Sequence, residues 1–205
     1  MKKMFKLILA MFIALNTAVL PKKVFASENV LSIDELEFEV ISYEEMIENI
    51  AANRNITLEE AQELFPDVNE NNTRSSVTYQ YVSSYRLVDV TSSYKPRLYF
   101  YLYMGYQNGS PVGIKRVVDF ALNRTNYLNN SISSKKFDGT LRVELLDAKN
   151  LYYRLDGDFY NNGTFTAGAG GTIEVGAGKT MNFTVEYASD HYKYIFKTET
   201  LSIIN

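Results

Sequence analysis

Few side chains in this sequence can do covalent chemistry. Cysteine is absent and His191 is the only histidine. A Ser–His or Cys–His nucleophile therefore has at most one imidazole to act as its base, and no serine sits in a nucleophile-elbow pattern. A zinc centre would face the same shortage of imidazole. Carboxylates remain. Asp156 and Asp158 flank Gly157 at i, i+2 spacing, and with Asp147 or Glu174 meeting them across strands they could supply the acid and base of an envelope hydrolase acting on glycosidic bonds. The same pair would suit two ligands of a calcium ion set around a turn-forming glycine, but the long acidic loop of a dedicated site is missing. No metal and no cofactor is expected.

A second kind of chemistry is recognition. In Leu98–Met104, alternation sends Leu98, Phe100, Leu102 and Met104 to one side of a strand and Tyr99, Tyr101 and Tyr103 to the other. One side packs, and the other presents phenols. Tyrosine combines a flat apolar ring with a hydrogen-bonding tip, which suits contact with sugars or protein surfaces. Tyr99, Tyr101 and Tyr103 are accordingly the expected binding face. Tyrosine also covers sheet faces for purely structural reasons, because cross-strand aromatic pairs stabilise a sheet.

Strands must hold these residues, and the pattern supplies them from Val77 onward. Apolar alternation marks strands at 77–90, 98–106, 114–122, 140–146, 151–160, 164–169, 172–175, 181–187 and 192–204. Turn formers separate them, among them Gln107-Asn-Gly-Ser-Pro111, Asp147-Ala-Lys-Asn150, Asn161-Asn-Gly163, Gly176-Ala-Gly178 and Ser189-Asp190. Short strands at this spacing, without amphipathic helices between them, predict an antiparallel β-sandwich or open barrel over 77–205. The stretch from Tyr127 to Ile132 is expected as a loop or helical turn.

Upstream the periodicity changes. Ser42-Tyr-Glu-Glu45 and Thr57-Leu-Glu-Glu60 are capping-box sequences, in which the hydroxyl accepts from the third helical amide and the glutamate reaches back to the cap. Helices are expected from Tyr43 to about Ala52 and from Leu58 to Phe65, where Pro66 stops the second. Glu35–Val40 alternates charged and apolar residues and reads as a short strand or a helical turn. The segment 27–66 is thus an acidic helical hairpin, and 67–76 is a linker of turn formers.

Charge divides along the same line. Residues 27–74 carry 13 acidic side chains against Arg54 and Arg74, whereas 75–205 carry 14 basic and 11 acidic. An acidic hairpin tethered to a mildly basic β domain could dock on it as a pro-segment until a protease cuts near Arg74. The alternative is a permanent N-terminal layer. Two helices joined by a tight turn also invite a DNA-binding reading, but phosphate backbones require Lys and Arg, so no nucleic-acid partner is expected.

Residues 1–26 have the layout of a secretory signal peptide. Lys2, Lys3 and Lys6 form a basic start, Leu7–Leu20 is an apolar run too short to span a bilayer, and cleavage is expected after Ala26. With Pro21-Lys22-Lys23 before Val24-Phe25-Ala26, this leader resembles those of exported Gram-positive bacterial proteins, and that resemblance implies a secreted, extracellular protein. Without cysteine, its core must hold together without disulfides. The expected function is non-enzymatic surface recognition of an extracellular glycan or protein. One alternative is a membrane-active, bacteriocin-like toxin using the Gly- and Thr-rich segment Asn162–Lys179 as an amphipathic hairpin. The paired-carboxylate hydrolase is another.

Overall fold

A computed structural model describes residues 37–68, 76–128, 134–168 and 170–203. The leader with Ala26 and the linker position Arg74 lie outside the described residues, as does most of the stretch from Tyr127 to Ile132. The protein is mainly β and antiparallel, as the period-two pattern predicts. Strands β1 (Glu37–Ile41), β2 (Thr78–Leu87), β3 (Arg97–Gln107), β4 (Ser110–Asn123) and the two-residue β7 (Ile173–Glu174) form one sheet in the order β1-β2-β3-β4-β7. Strands β5 (Lys136–Leu145), β6 (Asn150–Ala167) and β8 (Ala177–Ser202) close on one another as a three-stranded barrel. The two layers pack as a sandwich around Val82, Leu98, Phe100, Leu102, Val117 and Phe120 on one side and Phe137, Leu141, Val143, Tyr153, Leu155, Phe159 and Phe183 on the other.

Nine expected strand segments have become fewer and longer elements. Asn161-Asn-Gly163 and Ser189-Asp190, expected as turns, run on within β6 and β8, and β8 carries one extra residue at each of two bulges, where the register shifts at Phe159/Tyr160 and at Asn162/Thr164. Asn, Gly and Asp tolerate left-handed backbone, and a bulge uses that tolerance as readily as a turn does. Asp190 has φ 60 and Gly163 φ 136. By contrast, Asn108 (φ 52) and Gly109 (φ 79) do reverse the chain, joining β3 to β4 in a two-residue hairpin turn.

Both helices form where their caps place them. In α1 (Tyr43–Arg54) the Ser42 hydroxyl accepts from the Glu45 amide, and Asn55 ends the helix in left-handed conformation. In α2 (Leu58–Leu64) the reciprocal capping box is complete between Thr57 and Glu60. The hairpin buries Met46, Ile47, Ile50, Ala61 and Phe65 against the outer side of the five-stranded sheet, where they meet Ile41, Tyr101, Tyr103 and Val118. β1 pairs with β2 throughout its length, so the N-terminal segment enters the sheet as well as covering it.

A polar clamp fixes this docking. In β4, Val118 is the extra residue of a bulge, because Tyr101 pairs with Asp119 and Leu102 with Val117. The bulge turns the consecutive Val118 and Asp119 to the same side, towards the hairpin. The fully buried Asp119 carboxylate takes a bidentate fork from Arg54, with Nε donating to Oδ2 at 2.7 Å and Nη2 donating to Oδ1. Burial pushes the Asp119 carboxyl upward and the guanidinium opposes that shift. Beside it Asn53 Nδ2 donates to the Tyr101 hydroxyl at 2.7 Å, and Asn123 Nδ2 donates to Asn53 Oδ1.

Removing one member of a buried pair strands the other charge. Asp119→Ala is therefore expected to destabilise the fold by about 3–5 kcal/mol in urea unfolding, and Asp119→Leu combined with Arg54→Met to recover most of that loss.

Phenols under the hairpin add a pH dependence. Burial, the largest cause, pushes Tyr81 from its ordinary value near 10 up to about 12, and Tyr43 and Tyr103 are raised by burial as well. A phenol held above its unfolded value stabilises the fold fully below pH 10, and the contribution is lost as pH rises through the folded value. Tyrosinate absorbance and near-ultraviolet circular dichroism should report loosening of the hairpin layer between about pH 10 and 12.

Candidate functional site

The alternation predicted for β3 holds, but the phenolic side is not open. Tyr101 and Tyr103 are buried beneath α1 and α2, and Tyr99 is half-buried beside them, stacked on Tyr101 with ring centroids 6.2 Å apart. The expectation of an exposed binding face at Tyr99, Tyr101 and Tyr103 is corrected accordingly. Their hydroxyls have internal partners, Asn53 for Tyr101 and the Val68 carbonyl for Tyr103. The rings are tyrosines because this core lies between a sheet and polar helix ends, where a hydroxyl has something to bond.

The residues with chemistry left over gather elsewhere, on the outer face of β6 and β8. Along β6 the odd positions Leu151, Tyr153, Leu155 and Phe159 are buried, so Tyr152, Arg154, Asp156, Asp158 and Tyr160 face outward. Asp156 and Asp158 flank a mid-strand glycine and not the turn expected for them. Gly157 lies directly across from Gly139 of β5, and the strands touch there. A Cβ on Gly157 would come within 2.2 Å of the Asp138 carbonyl oxygen, and one on Gly139 within 2.2 Å of that of Asp156. This contact lets β5 and β6 bend sharply enough for three strands to close.

β8 supplies the other half of the face. Ile195 and Leu201 point inward, which places Tyr194, Phe196, Thr198 and Thr200 outside. Tyr194 is 52% and Phe196 59% exposed. At the bulge Phe159 pairs with Lys193 and Tyr160 with His191, so Tyr192 has no partner across the ladder. Tyr192 packs on the core, and the parity of the strand flips. His191, an odd position, thereby joins Tyr194 and Phe196 on the outer face.

These groups are already ordered. His191 Nε2 lies 2.7 Å from Asp158 Oδ1, and the Tyr194 hydroxyl donates to Asp156 Oδ1 at 3.0 Å. That hydrogen bond to a carboxylate is the main reason the Tyr194 phenol is raised above its ordinary value. Tyr160 stands edge-on to the His191 ring. Asp138, across from Asp158, accepts from the Val185 amide at 3.0 Å. The result is a surface with two exposed aromatic residues at alternate positions of β8, bordered by the half-buried Asp156 and Asp158.

Other expected partners are not brought together. Asp147 closes the β5–β6 turn by accepting from the Lys149 and Asn150 amides, and Glu174 sits on β7 within 4.0 Å of Arg116. Neither joins Asp156 and Asp158. Among the described residues no group of three His, Cys, Asp or Glu side chains is placed to hold a metal ion. The Gly-rich segment is not a hairpin in its own right. Phe165 and Ala167 pair with β8, Ile173 and Glu174 cross to β4, and Ala177–Phe183 pair with β5. A shallow depression of about 140 Å³, lined by Phe65, Pro66, Val68, Tyr81, Arg116, Val118 and Thr172, lies at the hairpin margin. It is smaller than the usual small-molecule pocket.

Tyr194 and Phe196 had a readable signal that the alternation of β3 overshadowed. They share parity with Thr198 and Thr200, so they are aromatics on the polar side of their strand. His191 had none, because only the bulge gives it that side. No protein-family model, curated protein or solved structure matches this chain.

The Gly139–Gly157 contact positions the carboxylates, and a side chain there must push backbone apart. Gly157→Ala is expected to cost about 1–3 kcal/mol or more in urea unfolding, and to broaden or move the amide resonances of Asp138, Asp156 and Asp158.

Proposed function

We propose that the protein is an exported, non-enzymatic recognition module that binds extracellular glycan on the outer face of β6 and β8. The observation that carries this reading is the neighbouring, half-exposed Tyr194 and Phe196 set directly across from Asp158 and Asp156. Exposed aromatic rings cost free energy in water, and the apolar face of a sugar ring covers them without further desolvation of polar groups. Carboxylates at the border accept hydrogen bonds from sugar hydroxyls, and the ring-to-carboxylate bonds already present hold both in place before a ligand arrives, which limits the ordering cost of binding. Tyr194, Phe196 and His191 are exposed on this face, so water reaches a bond held against it, which favours binding over hydrolysis.

Titration of the full chain against a panel of bacterial envelope and host oligosaccharides is expected to find a ligand whose binding falls at least about tenfold in Tyr194→Ala and in Phe196→Ala, with unfolding midpoints little changed because both rings are exposed. Asp156→Asn should weaken the same binding by a smaller factor. A panel without any such ligand, or binding indifferent to both aromatic substitutions, would refute the reading. Tyr101→Ala is unsuitable as a probe because it opens a cavity under the hairpin.

A further inference from the structure

The five-stranded sheet has an open margin. β1 is its terminal strand, and among the described residues no strand pairs with its outer edge. Every second amide and carbonyl of an antiparallel edge strand points away from its neighbour, so this edge presents backbone donors and acceptors to the surroundings. The side chains do not shield it. Phe38 is 41% and Val40 56% exposed, on the side where Val82 and the buried Ser84 lie across in β2. Glu39 is exposed on the opposite side, the one that carries the hairpin.

The exposed charge of the segment that holds β1 and the hairpin has one sign. Glu39, Glu44, Glu45, Glu48, Glu59, Glu60, Glu63 and Asp67 are all exposed, and Arg54, the only basic residue between 37 and 68, is taken up by Asp119. We propose that β1 accepts an extended segment of a partner protein in which apolar residues alternate with Lys or Arg, adding a strand to the sheet. Main-chain bonds would supply affinity, and the alternation would supply selectivity: apolar residues beside Phe38 and Val40, cations beside Glu39 and the acidic hairpin. A second copy of this chain fits less well. The antiparallel register that sets Phe38 against Val40 of another copy sets Glu39 against Glu39, and like charges directly opposite destabilise a strand pair.

The test uses the full chain and two synthetic peptides, one alternating lysine with valine and one alternating glutamate with valine. Amide resonances of Glu37–Ile41 are expected to shift with the lysine peptide and their hydrogen exchange to slow, with at least about tenfold weaker binding of the glutamate peptide. Glu39→Lys and Val40→Asp, both at exposed positions, should each weaken the lysine peptide by a similar factor while circular dichroism shows the fold retained. Equal binding of the two peptides, or shifts that spare Glu37–Ile41, would overturn the proposal. So would protection of this edge without peptide in a species of doubled solution mass, since a second copy would then be the occupant.

Discussion

Everything in this fold is arranged around the need to bury β3 on both sides. Its sequence offers an apolar face of Leu98, Phe100, Leu102 and Met104 and an aromatic face of Tyr99, Tyr101 and Tyr103. Neither can be left in water cheaply when so many large side chains lie in one strand. The barrel of β5, β6 and β8 covers the first face. The helical hairpin covers the second. Because phenols carry hydroxyls, the second layer must also satisfy them, and Asn53, Val68 and Asp67 do so for Tyr101, Tyr103 and Tyr81. The hairpin is therefore matched to the sheet chemically as well as by shape.

Most of this architecture could be read locally. Ser42 and Thr57 announce the helices because a cap is a four-residue interaction, complete within the sequence that shows it. Alternation in 98–104 correctly separates the faces of β3, since side-chain direction alternates with position wherever a strand carries no bulge of its own. What covers a face is not local. The phenols of β3 and the apolar stripe of α1 are each amphipathic surfaces seeking a partner, and only the folded chain shows that they find each other. The same limit hid the outer face of β6 and β8. Asp156 and Asp158 were visible as a pair, but their neighbours come from β8 across a ladder whose register depends on an unpaired Tyr192. A single bulge reverses which residues are outside, and no periodicity rule anticipates it.

Closing one layer and leaving the other open divides the molecule into two kinds of surface. Over residues 151–160, β6 pairs with β5 on one side and with β8 on the other, so it can present side chains without offering backbone for unwanted pairing. The tight contact at Gly139 and Gly157 is the condition for that closure, and it sets Asp156 and Asp158 on either side of the bend. The five-stranded sheet keeps its edges. β7 is only two residues long and is followed at once by a turn, which leaves little to pair with. At the other end β1 is longer and carries alternate acidic residues, a device that discourages self-association without closing the edge to everything.

The same geometry bears on whether the acidic segment could act as a detachable pro-segment cut near Arg74. Residues 36–205 form one compact unit, and the hairpin contributes Met46, Ile47, Ile50 and Phe65 to a buried cluster. At about 1.5–3 kcal/mol for each large apolar side chain, those four alone are worth on the order of 10 kcal/mol, comparable with the whole stability of an ordinary domain. Their loss would also leave Asp119 without its counter-ion and expose Tyr101, Tyr103 and Val118 together. Cutting the linker would leave β1 paired with β2 and the clamp between Arg54 and Asp119 in place, so cleavage alone gives the segment no reason to depart. Release would require something that binds the bared tyrosine face of β3 at least as well as the hairpin does, and would have to satisfy its hydroxyls. Absent such a competitor, the physics favours a permanent layer.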